Sequence, residues 1–130
     1  MIAQKGTLLI PSGQTSHLHI ICSNPVLYPP VGHNCFLCVN ISSVPNGVEY
    51  DTACVLNNGD HPFIDHESYV YYDRAQIFGV DTVLARLKER ELQKHATCGD
   101  EMFNRVMEGF QTTKFITPKI KRFLEKYCEV

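Results

Sequence analysis

Over the first part of the chain, apolar and polar positions alternate in short runs with a period close to two. Residues 7–10, 18–22, 35–43, 52–56 and 68–77 are each rich in β-branched, aromatic or leucine side chains, and runs of this length and period predict strands. Between them stand Pro11-Ser12-Gly13, Ser23-Asn24-Pro25, Pro29-Pro30, Pro45-Asn46-Gly47 and Asn57-Asn58-Gly59-Asp60. Such residues supply a positive φ or a missing backbone donor, which ends a strand and turns the chain. After Gly79 the period changes to about 3.6. Asp81 can cap a helix carrying Val83, Leu84 and Leu87, and Asp100 one carrying Met102, Phe103, Val106, Met107 and Phe110. Thr117 and Pro118 open a third, in which Ile120, Phe123, Leu124 and Tyr127 share one stripe. The pattern predicts a mostly β chain with α: a small barrel of about five strands over residues 1–79, then two to three C-terminal helices over 80–130, in one domain.

Composition adds limits rather than direction. At 130 residues, with 44% hydrophobic and 20% charged residues, the chain can bury a core without metal or disulfide staples. No run approaches a membrane span, and Leu8-Leu9-Ile10 is too short for a secretory core, so the expectation is a cytoplasmic protein with reduced thiols. Cys35 and Cys38 form a CxxC inside an apolar run. On a strand, positions three apart face opposite sides, which points to buried structural cysteines rather than a zinc or redox pair.

Charge is uneven. Before residue 80 the only basic side chains are Lys5 and Arg74, against Glu49, Asp51, Asp60, Asp65, Glu67 and Asp73. Lys119, Lys121, Arg122 and Lys126 fall largely off the apolar stripe of the last helix, as a solvated face or as a basic patch for phosphates.

Five of the six histidines lie in the acidic part. His17 and His19 flank Leu18 in a strand, so both leave one face while Leu18 and Ile20 take the other. Two imidazoles on one face can act as acid and base near neutral pH, or as metal ligands. Ser42 and Ser43 end a strand, where hydroxyls can donate to phosphate oxygens or simply bond local backbone. The segment Gly59-Asp60-His61-Pro62-Phe63-Ile64-Asp65-His66 holds two Asp-His pairs in a loop. A carboxylate beside an imidazole fixes its tautomer and suits acid–base work. Of the two, His61 is expected to function and His66 to be an ordinary surface histidine. No P-loop, GxGxxG, HExxH or nucleophile elbow is present, and no cysteine has an obvious base partner. Histidine-centred chemistry is what remains.

Over residues 5–78 the chain resembles the MazF/PemK-type toxins, small SH3-like barrels that cleave single-stranded RNA and are neutralised by an antitoxin. Lys5-Gly6-Thr7-Leu8-Leu9-Ile10-Pro11 is similar to that family's first strand. His17-Leu18-His19-Ile20-Ile21-Cys22-Ser23 lies where the family has an Arg-Pro pair entering an apolar strand. Val39-Asn40-Ile41-Ser42-Ser43 is similar to its Pro-Ile-Thr-Ser rim, and Asp65-His66-Glu67-Ser68-Tyr69-Val70 to a later strand. Here His17 replaces the catalytic arginine, Leu18 the proline and Ser42 the catalytic threonine. The resemblance implies an SH3-like barrel and a metal-independent endoribonuclease without cofactor, cytoplasmic and homodimeric, with single-stranded RNA and a cognate antitoxin as partners. By the resemblance Ser42 carries over as a transition-state hydrogen-bond donor and His17 as the phosphate-facing acid or cation; His19 and His61, which have no family counterpart, complete the catalytic candidates by their own chemistry, and the substrate-binding candidates are Ser43, His66, Arg74, Lys121 and Arg122. Two other readings stand beside it: a metal-binding barrel using His17, His19 and His61 with Asp60 or Asp65, and a non-catalytic interaction module.

Overall fold

The computed structural model describes residues 1–128, in which one antiparallel sheet curls into a half-barrel and three helices pack on it. The strands are β1 (Thr7–Ser12), β2 (Thr15–Ile21), β3 (Val26–Tyr28), β4 (His33–Ser43), β5 (Val55–Leu56), β6 (Ser68–Gly79) and β7 (Gln93–His95). The helices are α1 (Val80–Lys88), α2 (Asp100–Thr112) and α3 (Pro118–Tyr127). The sheet runs β5-β6-β4-β2-β1-β7, with β3 beside β4. A small β-barrel followed by helices is therefore what the chain folds into, and Gly79 is the joint, ending β6 and capping α1.

Details differ from the expectation for local reasons. The run at 52–56 pairs only through Val55 and Leu56. Two short strands, β3 and β7, were hidden by flanking prolines and by the polar sequence Gln93-Lys94-His95. β7 lies between α1 and α2 and pairs with β1, so the segment after Gly79 also closes the sheet edge. Asp81 and Asp100 are not caps. They sit inside the first turns of α1 and α2, whose N-caps are Gly79 and Gly99, where a carboxylate still complements the helix dipole. Asp100 also bonds Lys5 at 2.8 Å. The cap of α3 is as expected: Thr117 Oγ1 accepts from the Ile120 N–H, ahead of Pro118.

Strand alternation divides the core. On the inner face Leu18, Ile20, Leu37, Val39, Ile41, Val70 and Tyr72 pack with Met102, Val106, Phe110, Ile120 and Phe123 from α2 and α3. The Tyr72 hydroxyl donates to the Val106 carbonyl at 2.7 Å. On the outer face Leu8, Ile21, Phe36 and Cys38 pack with Val83 of α1 and with Leu92. That cover spans only part of the face. Beyond it, alternation still exposes one side of β2, β4 and β6, and there the sequence turns to His17, His19, Asn40, Ser42, Tyr69 and Tyr71.

All six cysteines are unpaired, and Cys35 and Cys38 belong to the two different core clusters. Burial pushes the Cys38 thiol well up and the Cys98 thiol up to about 11, which suits structural rather than nucleophilic roles. Among the described residues no helix is long and apolar enough to cross a membrane.

Candidate active site

β2 and β4 are paired only through His19–Asn40, Ile20–Val39 and Ile21–Cys38. Beyond His19 towards the β1–β2 turn, and beyond Asn40 towards the end of β4, the strands part. A groove of about 700 Å³ opens between them, lined by His17 and Ser42 from the parted ends, by Ser43, by Phe63, Asp65 and His66 from the loop before β6, and by His95 of β7. The β1–β2 turn is a two-residue hairpin with Gly13 at a φ of 65°, the left-handed geometry this turn requires at its first position.

The loop is pinned before it reaches the groove. Asp60 Oδ2 accepts from the Asn57 N–H at 2.7 Å, while Asp60 Oδ1 is held by Arg105 of α2 at 3.2 Å. Arg105 also donates to the Val55 carbonyl at 2.7 Å. His61 is 3% exposed. Its Nδ1 accepts from the Phe63 N–H at 3.0 Å, so the proton sits on Nε2, which donates to the Ala96 carbonyl at 2.6 Å. Both nitrogens are consumed by backbone. His61 is thus placed as an anchor of the loop, apart from the groove lining where a catalytic role for it was expected.

His66 has the opposite surroundings. Its Nδ1 meets Asp65 Oδ1 at 2.5 Å and its Nε2 meets Ser43 Oγ at 2.6 Å. With the proton on Nδ1 directed at the carboxylate, Nε2 accepts from the Ser43 hydroxyl, the order of a serine–histidine–aspartate relay. The imidazole hydrogen bond and its charge hold the Asp65 carboxyl below the usual range. All three side chains are exposed, so substrate can reach them.

The structure brings four sequence candidates to this groove: His17, Ser42, Ser43 and His66. His19 is not among them. Its ring lies 6.4 Å from Phe78, its Nδ1 donates to the His17 carbonyl at 3.1 Å, and burial is the main cause that lowers its pKa. Its same-face position beside His17 is as expected, but the parting of β2 from β4 begins one residue pair too late to expose it. Arg74 protrudes from an irregular stretch of β6 and stacks over Tyr71, and Lys121 and Arg122 are exposed on α3. None of these three cations lines the groove. His95 is a groove residue that the sequence reading does not name, and Asp65 enters that reading only as a metal ligand and as the partner of His66. The Asp65 signal was present in the adjacent Asp-His pair, whereas His95 arrives through the β1–β7 pairing, which no local pattern announces.

Among the described residues, no three His, Cys, Asp or Glu side chains converge to hold a metal ion. The set His17, His19 and His61 is dispersed in particular, because His61 is spent on backbone bonds. The chain matches no family model, no curated protein and no solved structure.

Proposed function

We propose that this chain is a metal-independent endoribonuclease that cleaves single-stranded RNA in the groove between β2 and β4. The carrying observation is the Asp65–His66–Ser43 relay opening into the same groove as His17 and Ser42. In the reaction, the Ser43 hydroxyl turns from His66 to the phosphate, and the freed His66 Nε2 takes the proton of a ribose 2′-hydroxyl, whose oxygen attacks the adjacent phosphorus. The P–O5′ bond breaks, His17 protonates the departing 5′-oxygen, and the products are a 2′,3′-cyclic phosphate and a 5′-hydroxyl. Asp65 stabilises the imidazolium formed on His66, while the Ser42 and Ser43 hydroxyls donate to the non-bridging oxygens. No Lys or Arg lines the groove, so protonated imidazole supplies the positive charge there. The resemblance to MazF/PemK-type toxins supports the same substrate, and with it a homodimer and an antitoxin partner.

The relay also fits acyl transfer with Ser43 as nucleophile. Against this, the next backbone donor along the chain, the Val44 N–H, is already bonded to the Glu67 carbonyl at 3.2 Å, which removes it from an oxyanion hole. A fluorophosphonate probe separates the two, since only the acyl-transfer reading expects covalent labelling of Ser43.

The test is cleavage of a fluorogenic oligonucleotide with one ribose in a deoxyribose chain, in the presence of chelator. Cleavage should end in a cyclic phosphate and vanish when the single ribose is replaced. His66→Ala and His17→Ala should each lower the rate by about 10²–10⁴-fold. RNA left intact by the folded wild-type protein would remove the nuclease and leave an interaction module.

A further inference from the structure

A second cavity lies on the outer face of β6; it shares no lining residue with the groove, although its Tyr69 pairs with Ser42 across the strands, and its chemistry is different. It measures about 860 Å³ and is walled by Tyr50, Tyr69 and Tyr71, with Phe115 at the rim. The rings form a continuous series: Tyr50 and Tyr69 have centroids 5.1 Å apart and tilted by 45°, and Tyr69 and Tyr71 are 5.4 Å apart at 39°. Phe115 is 53% exposed, yet it is held. Its N–H donates to Thr113 Oγ1 at 3.1 Å, and the Thr113 hydroxyl donates to Asp51 Oδ2 at 2.6 Å.

The charged groups lining the cavity are Glu49, Asp51 and Asp73, with no Lys or Arg. Asp51 is occupied by the Thr113 hydroxyl and by the Ala53 N–H at 2.9 Å. Glu49 and Asp73 are exposed and, among the described residues, have no ion-pair partner. Arg74, stacked on Tyr71, offsets part of this charge, and the three carboxylates still favour cations over phosphate. Aromatic faces add attraction for cations whose charge is spread over a planar or alkylated group. The molecule already uses Tyr71 in this way, with the Arg74 guanidinium carbon 5.1 Å from its ring centroid.

We propose that the Tyr50–Tyr69–Tyr71 cavity binds an organic cation, an alkylated ammonium or a guanidinium. The volume falls in the ligand-cavity range of about 300–1,000 Å³. The site is separate from the nuclease reading and does not depend on it.

The experiment is an amide-resolved NMR titration of the intact protein with choline, its neutral isostere 3,3-dimethylbutan-1-ol, and N-acetyl-arginine amide. Saturable shifts confined to residues around Tyr50, Tyr69 and Tyr71 are expected for a cation, with the isostere weaker by about tenfold or more. Choline alone would assign a small ammonium ligand, and the arginine amide alone a guanidinium presented by a peptide. Tyr50→Leu should lose most of the binding. The double variant Glu49→Gln/Asp73→Asn, which changes only exposed side chains, should weaken the cation and leave the isostere unaffected. Equal binding of isostere and choline, or no saturable shift with either cation up to tens of millimolar, would overturn the proposal.

Discussion

Asp60-His61 and Asp65-His66 are the same dipeptide twice in one loop, and their side chains meet opposite surroundings. Asp60 turns towards α2 and is held by Arg105, while His61 is buried with both nitrogens on backbone atoms. Asp65 and His66 bond each other and Ser43 at the mouth of a groove, with side chains 83% and 59% exposed. An imidazole can move a proton only if one nitrogen is accessible to a substrate. The first pair therefore fixes the loop, and the second, bonded to exposed side chains rather than to buried backbone, is open to substrate in the proposed reaction. Rigid support behind an exposed pair is what holds acid–base geometry in place.

Removing the anchor is expected to have the largest effect on stability. His61→Ala deletes a buried ring, strands the Phe63 N–H and leaves the Ala96 carbonyl to the Thr7 hydroxyl, at a cost of about 2–4 kcal/mol. Thermal unfolding should show it as a clear fall in Tm, whereas His66→Ala, with an exposed ring, should leave Tm nearly unchanged. Equal shifts for the two variants would erase the distinction between the pairs.

Arg105→Ala comes next. It leaves Asp60 without its cation and the Val55 carbonyl without one donor, at a cost of about 1–2 kcal/mol. If Arg105 acts through Asp60, a double-mutant cycle with Asp60→Asn should give less than additive loss. Additive losses would mean that Arg105 holds the loop through Val55 alone.

The sequence pattern carried the fold further than it carried the site. Period-two runs and turn residues were enough for the main strands, and the change of period marked Gly79. β5 shrank and β7 escaped notice because short edge pairs draw on tertiary contact more than on local preference. The groove was legible in its residue types, since His17, Ser42, Ser43 and His66 all stood out by chemistry or by position. Their assignment was not. Identical Asp-His dipeptides differ only in what the rest of the fold brings to them, and Ala96, Arg105 and Ser43 come from distant parts of the chain. His19 failed as a candidate for a similar reason: alternation gave its face correctly, but only the point where β2 leaves β4 decides which histidine is open.

His19 gives the mildest test of the same contrast, because it is partly buried yet is not pinned at both nitrogens as His61 is. Burial is the first cause of its lowered pKa, the His17 carbonyl contact raises it, and the charge of His17 lowers it again. In the unfolded chain the ring titrates near its ordinary value of about 6.5. As pH falls through that value the unfolded state takes up a proton that the folded state still resists. The contribution of His19 to stability is thus fully present above about pH 6.5 and is lost as pH falls towards the lowered folded value. Tm measured from pH 7.5 downwards should fall less steeply in His19→Gln than in the wild type. A wild-type slope retained in His19→Gln would place the acid sensitivity elsewhere in the molecule.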